Sequence, residues 1–314
     1  MNEEFDGVRI DKFLAEIYSG LSRSFFQKLI KSGAVSIDGV PVLKNSSPVS
    51  NGELVLVEIP EAQSVEILPE DIPLDILYED ADLLIVNKPK GMVVHPAAGH
   101  YSSTLVNAVL FHCADSLSGI NGEIRPGIVH RIDKDTTGSL IVCKNDSAHR
   151  AIAEQIRAHT VKRVYRGIVC GNLVQDEGTV RGEIGRHPVQ RKKMAVVGEH
   201  GKPALTHFRV LERLSAGGVS YTYAEFRLET GRTHQIRVHM AEIGHPLLGD
   251  ELYGGAKKMR GGKELDGQTL HAMTIGFVHP SCGTYMEFEA PLPDYFKELL
   301  KKAGSRDVSG SCTS

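Results

Sequence analysis

Apolar residues between Val8 and Tyr18 fall at Ile10, Phe13, Leu14 and Ile17, the spacing of one helical face. Ser22 is placed to cap a second helix carrying Phe25, Phe26, Leu29 and Ile30, and Gly33 is its expected stop. The pattern then changes period. Ala34 to Ile37 turns through Asp38-Gly39 into Val40 to Leu43, and Glu53 to Ile59 is a β-branched run, so a short sheet follows the two helices. Residues 60 to 75 hold three prolines and five acids without periodicity, which predicts a linker. Beyond it, strands are expected at Ile76 to Tyr78, Leu83 to Asn87, Ser139 to Lys144, Arg163 to Val169, Thr206 to Leu211 and Tyr221 to Glu229. Helices are expected at Leu105 to Phe111, Ser147 to His159 and His234 to Ile243. The strands mostly follow one another without βαβ alternation, which points to an α+β fold with a mixed, largely antiparallel sheet flanked by helices and loops. Gly254 to Gly267 reads as a flexible loop and the segment from Lys301 as a disordered tail. The expected organisation is a small domain over 1–60, a linker over 61–74, a larger domain over 75–300 and a tail over 301–314.

Composition agrees with this division. A chain of 314 residues is the length of about two domains, and 41% hydrophobic with 24% charged residues is a globular balance. No apolar run reaches the roughly 18 residues that span a bilayer, so no membrane association is expected. The first residues, MNEEFDGVRIDKF, are acidic and unlike a secretory signal. Five cysteines without CxxC spacing fit neither a disulfide framework nor a zinc knuckle, and a reducing cytoplasm is expected.

The net charge of −3 argues against a general nucleic-acid binder, but its distribution is uneven. Thr160 to Leu205 carries nine Lys or Arg against four acids, including Arg186, Arg191, Lys192 and Lys193, and such a stretch suits a phosphate backbone. A Lys-protected strand edge is the plain alternative. On the second helix Arg23, Gln27 and Lys31 recur every fourth residue with Lys28 beside them. This stripe is either an RNA-binding face or the ordinary wet face of an amphipathic helix.

Chemistry concentrates in Pro126 to Lys144, PGIVHRIDKDTTGSLIVCK, where an apolar strand is expected to run into His-Arg-Ile-Asp and a second to leave after Gly138. Asp133 and Asp135 either organise the turn through backbone amides or line a cleft. The order Asp133-Lys134-Asp135-Thr136-Thr137 also satisfies D-x-D-x-T and is similar to the nucleophile loop of haloacid dehalogenase-type phosphatases. Against that, Gly249-Asp250-Glu251 supplies no second Asp for a metal, and the βα alternation of that fold is missing. No dinucleotide or P-loop motif stands out, since Gly262-Lys263 is followed by Glu264. His234 and His239 are five apart and lack the zincin pattern, so neither cofactor nor metal is expected.

HRIDKDTTG resembles the H-R-L-D-x-x-T-S-G signature of the RluA-type pseudouridine synthases, with Ile132 and Thr137 as conservative departures. VKRVYRGIVCG (161 to 171), LETGRTHQIRVHMAEIGHPLLGDELYG (228 to 254) and LHAMTIGFVHP (270 to 280) resemble three further blocks of that family in order. Residues 8 to 59 resemble the S4 domain, a small RNA-binding module with the same helix-helix-hairpin order. The resemblance implies an S4-type αα-β domain before a catalytic domain that isomerises uridine in structured RNA without a cofactor. It implies Asp133 as the catalytic carboxylate, Arg237 as the cation that keeps it ionised, and Tyr165 as the ring that stacks on uracil. Arg131 is expected to reach the RNA around the flipped base, Arg232 to meet a phosphate, and His130 to support the loop. GEIGRHPVQRKKMAV and GKPALTHF most resemble the large-subunit ribosomal RNA enzymes of the RluD type. Transfer RNA and a non-catalytic role in ribosome assembly stay open, and a monomer is the expected state.

Overall fold

Ser22 accepts a hydrogen bond from the Phe25 amide at 3.3 Å, so the expected capping residue does start the second helix. In this computed structural model, which describes residues 5–18, 20–59, 67–96, 101–114, 116–120 and 126–306, α1 (Ile10–Ile17) and α2 (Arg23–Lys31) close on Phe13, Leu14, Phe26 and Ile30. β1 (Val35–Ile37) pairs antiparallel with β2 (Val40–Pro41) and β3 (Val55–Val57), and Val35 and Val49 complete that core. The positive φ of Asp38 (48°) and Gly39 (79°) makes the tight turn that Asp-Gly predicts. By its internal contacts the chain forms two units, Met1–Ser64 and Val65–Ser314.

The second unit runs β4 (Ile76–Glu79), β5 (Leu83–Lys88), α3 (Leu105–Cys113), β6 (Thr137–Cys143), α4 (Asp146–Arg157), β7 (Lys162–Cys170), β8 (Glu177–Arg186), β9 (Met194–Val196), β10 (Lys202–Ala216), β11 (Val219–Leu228), α5 (Gln235–Glu242), β12 (Leu270–Val278), β13 (Tyr285–Glu289) and α6 (Asp294–Lys302). The strands join in one ten-stranded sheet ordered β4-β5-β6-β12-β7-β11-β10-β8-β9, with β13 on the remaining stretch of β12. Every pairing in it is antiparallel but one: β6 meets β12 in parallel through Thr137 with His271 and Gly138 with Ala272. The sheet is mixed and largely antiparallel, so the D-x-D-x-T resemblance lacks the parallel βα fold that a haloacid dehalogenase-type phosphatase requires.

β6 is buried at every position. Leu140 and Val142 pack with Leu84, Val86 and Val106 of α3, while Ile141 and Cys143 pack on the other face with Ala148 and Ile152 of α4. Burial on both faces explains why its second half, Leu140 to Cys143, reads as an unbroken apolar run. Each such aliphatic contributes roughly 1.5–3 kcal/mol by leaving water, which makes β6 a rigid base for the loop that precedes it.

Several expectations change. The apolar run before His130 is not a strand: Ile128 makes an isolated bridge to Val142 and the chain is otherwise irregular. The Gly254 to Gly267 segment is packed, with Met259 fully buried, and a Cβ at Gly255 would lie 1.9 Å from the Leu247 carbonyl oxygen. The disordered tail expected from Lys301 does not begin there, because α6 runs to Lys302 and both Ala303 and Ser305 are buried; residues 307–314 lie outside the described residues. The end of the expected linker is also anchored, the Asn107 side chain donating to the Leu68 carbonyl at 2.8 Å, while 61–66 lie outside the described residues. β8, β9, β12, β13 and α6 were not anticipated as elements. Among the described residues no helix is long and apolar enough to cross a membrane.

Candidate active site

The loop from His130 to Thr136 is fixed from three sides. His130 Nε2 accepts the Ile141 amide at 2.9 Å. Burial, and then Arg163, pushes its pKa down to about 3, so the ring is a neutral support and not a proton donor. Lys88, 1% exposed, donates to the carbonyls of Pro89, Met92 and Lys134 at 2.8 to 2.9 Å. Burial lowers the Lys88 pKa to about 7 against the pull of Asp135 and Asp133; three carbonyl acceptors nevertheless require three N–H groups, which the ammonium alone supplies. Thr136 closes the turn, its amide donating to the Asp133 carbonyl at 3.1 Å while its hydroxyl accepts from Gln268 at 3.0 Å. Gly138 then enters β6 at φ 108°, where a Cβ would lie 2.2 Å from the Ala272 carbonyl oxygen. Only glycine allows that approach.

On this frame Asp133 meets Arg237, whose Nη1 donates to Asp133 Oδ2 at 3.0 Å. Arg237 projects from α5 and is itself buried. Its Nε and Nη2 donate to the two oxygens of Asp250 at 2.7 and 2.8 Å, a bidentate pair, and its guanidinium lies 5.0 Å from the centre of the Tyr253 ring. Burial works against the Arg237 charge, but Asp250 and Asp133 together outweigh it and hold its pKa above the usual arginine value. Asp133 thus faces a cation that cannot discharge.

His234, in the left-handed region at φ 58°, turns the chain into α5 and presents Nε2 3.8 Å from Asp133 Oδ1. Its Nδ1 is 2.8 Å from the Tyr253 hydroxyl, which also accepts the Met194 amide at 2.8 Å. Burial lowers the His234 pKa, so the neutral ring is favoured. A phenol donating to Nδ1 satisfies every group and leaves Nε2–H towards the carboxylate.

Tyr165 rises from β7, paired in register with Phe226 and Ala272, and is 9% exposed. Burial raises its pKa, so the phenol keeps its proton. Asp133, Tyr165, Arg131, Leu228 and His234 line one cavity of about 470 Å³. A second cavity of about 630 Å³ shares Arg131, Arg232 and His234 with it and is lined further out by Arg186, Lys192 and Lys202.

The structure therefore brings Asp133, Tyr165, Arg237, Arg131 and Arg232 together, with Arg186 and Lys192 on the adjoining cavity. Arg131 is exposed with Nη1 3.0 Å from His95 Nε2, and Arg232 is steadied by the Pro203 carbonyl at 3.0 Å. Arg191 and Lys193 sit on the β8–β9 turn away from that lining: the Arg191 carbonyl accepts from Arg186, and Lys193 lies over the Tyr253 ring at 5.8 Å. In the first unit the basic stripe is divided. Arg23 and Gln27 turn onto the buried carboxylate of Asp11, at 2.9 and 2.7 Å, whereas Lys28 and Lys31 are exposed. Asp250, Tyr253, Lys88 and Gln268 were not anticipated as site residues. Asp250 lay within a recognised block, but nothing in its neighbours marks it as the partner of an arginine on the preceding helix. Asp80, Asp82 and His279 offer ligand atoms within 4.8 Å of one another, yet Asp80 already accepts from Tyr78, His279 and the amides of Asp82 and Leu83. That cluster closes on itself as a turn.

A carboxylate locked by a buried arginine beside a strand tyrosine and a basic cavity, on a mixed sheet, suits an enzyme that acts on RNA. The chain belongs to the RNA pseudouridylate synthase family, whose sequence pattern matches residues 82–242, and an S4 domain matches residues 8–55. It is an RNA pseudouridine synthase, an isomerase. It is 50% identical over 300 residues, 96% of this chain and 95% of the relative, to the uncharacterized RNA pseudouridine synthase YlyB of Bacillus subtilis. It is 46% identical to the ribosomal large subunit pseudouridine synthase D of Zymomonas mobilis over 96% of this chain and 95% of that one. Among solved structures it is similar to human RNA pseudouridylate synthase domain containing 1, with a TM-score of 0.56 and 27% identity over 74% of this chain and 86% of that one.

Proposed function

We propose that the enzyme converts uridine to pseudouridine in large-subunit ribosomal RNA, with Asp133 as the catalytic carboxylate and no cofactor. The observation that carries this reading is the 3.0 Å bond from Arg237 to Asp133, a carboxylate that lines one cavity with Tyr165. The reaction breaks the bond from N1 to C1′, turns the uracil, joins C5 to C1′ and removes the C5 proton. No electrons or external groups enter, so the chain's own side chains suffice.

Asp133 must act as an anion in a partly dry site, and the fixed charge of Arg237 supports that state. The carboxylate either attacks C1′ (or C6) or removes a ribose proton to give a glycal. Tyr165 stacks on the uracil and keeps it in place through the rotation, and its hydroxyl relays the C5 proton by giving up its own to solvent as it accepts. Arg131 and Arg232 meet the backbone around a base that leaves its stack, and Arg186 and Lys192 extend that contact. Lys28 and Lys31, with Arg23 at the same edge, give the S4 unit its RNA-facing charge. Ribosomal RNA is favoured because full-length relatives carry the name ribosomal large subunit pseudouridine synthase D. The working place is then the cytoplasm, with the protein acting as a monomer.

Tritium release from C5-tritiated uridine in unmodified large-subunit ribosomal RNA tests this. Wild type is expected to release tritium with or without a chelator, and Asp133→Ala to release none while still binding the RNA. Release confined to transfer RNA would move the substrate, and release by Asp133→Ala would remove Asp133 from the chemistry.

A further inference from the structure

Arg163 lies on β7 two residues before Tyr165, on the same face of the strand, and is 9% exposed. Its Nη2 donates to the Glu229 carbonyl at 3.3 Å, its Nε has no hydrogen-bond partner, and no carboxylate among the described residues pairs with it. A guanidinium buried without a counter-ion is unfavourable unless an anion completes it. The cavity it lines contains Asp133, which is already engaged by Arg237, together with the cations Arg131, Arg157 and Arg232. Ile156 and His159, at the end of α4, line the same cavity. Gly231 keeps the guanidinium open: a Cβ there would lie 2.5 Å from Arg163 Nη1.

We propose that Arg163 holds a phosphate of the RNA chain next to the target uridine, so that the backbone is pinned on the Tyr165 side while the base sits over Asp133. This rests on the pseudouridine synthase reading above. A phosphate fits better than the base itself because the base is neutral, whereas the planar fork of a guanidinium matches phosphate oxygens with paired bonds. Arg163 is then a binding residue that positions the nucleotide and takes no part in bond exchange.

The test uses the full chain and an unmodified transcript of large-subunit ribosomal RNA carrying C5-tritiated uridine. Tritium release and equilibrium binding are measured across a potassium chloride series for wild type, Arg163→Gln, Arg163→Lys and Gly231→Ala. Arg163→Gln is expected to raise KM about tenfold with kcat within about twofold. Its slope of log affinity against log salt should be shallower by about 0.7, the share of one phosphate on a single strand. Arg163→Lys should keep that slope, and Gly231→Ala, which retains the charge but displaces it, should raise KM as Arg163→Gln does. An unchanged slope in a folded Arg163→Gln protein overturns the proposal, as does a fall in kcat at constant KM. If Arg163→Gln does not fold, an unchanged KM in Gly231→Ala overturns it instead. Absence of tritium release by wild type would defeat the parent reading alone, because the binding slopes need no turnover.

Discussion

Asp250 grips Arg237 through two hydrogen bonds of 2.7 and 2.8 Å, while Asp133 receives one of 3.0 Å from the same guanidinium. The tighter partner is the carboxylate further from the cavity, so Asp250 sets the angle at which Arg237 meets Asp133. Asp250→Asn keeps the volume and removes the charge. It is expected to lower kcat by roughly 10²-fold, the scale of a small misplacement of a reacting group, with RNA affinity within about twofold. Single-turnover tritium release beside filter binding checks both numbers.

Two substitutions at Tyr165 separate the proposed stacking from the proposed proton relay. Tyr165→Phe should keep RNA affinity and lose the step that takes the C5 proton, so tritium release falls while the altered base stays bound. Tyr165→Leu should lose affinity as well, by about 1–3 kcal/mol for the stacked base. Because burial holds the phenol above its ordinary pKa, the wild-type rate should not fall from Tyr165 ionisation at pH 10. A rate that halves at or below pH 10 through this group would contradict the burial argument.

Lys88 binds three carbonyls, one of them in the loop that carries Asp133. Lys88→Met removes the donor from the Pro89 and Met92 oxygens and leaves the Lys134 oxygen with the Gly91 amide alone, at a cost of about 3 kcal/mol or more. A lower Tm and a lower kcat are expected together. Hydrogen exchange should locate the loosening at Gly91, whose amide bonds to the same Lys134 carbonyl.

Asp11 is fully buried, and although burial opposes its charge, bonds from Arg9, Gln27 and Arg23 hold its pKa at about 2 against an ordinary 3.8. The folded value is the lower one, so the stabilisation is complete above pH 3.8 and is lost as pH falls towards 2. Its size is about 2 kcal/mol. Asp11→Asn should therefore weaken exchange protection of α1 and α2 in the full chain at pH 7 and match wild type near pH 2. Equal protection at pH 7 would mean that the three donors gain nothing from the carboxylate.

Much of this arrangement was legible in the sequence because periodicity reports burial. The helical spacing of Ile10, Phe13 and Leu14 and the unbroken run from Leu140 to Cys143 in β6 both name surfaces that must leave water. Asp133, Tyr165 and Arg237 were readable through the blocks that contain them. β8 and β9 were not, because they form the end of the sheet, where Glu177, Arg181 and Arg186 are exposed and the apolar alternation is weak. Asp250 was hidden for another reason: a carboxylate in a loop looks the same whether it faces water or a guanidinium from a helix thirteen residues earlier. The partial neutralisation of the stripe at Arg23 likewise depends on Asp11, which belongs to a different helix.

The parallel join of Gly138 to Ala272 also fixes when the enzyme becomes an enzyme. On a translating ribosome the S4 unit, with its own core, has every residue it needs long before the second unit is finished. The loop holding Asp133 emerges midway, but the strand that braces it lies in the chain's last third, and Arg237 and Asp250 also come after the loop. The core of the S4 unit and the completed Arg237–Asp133 pair are therefore born at different times, in that order, within one molecule.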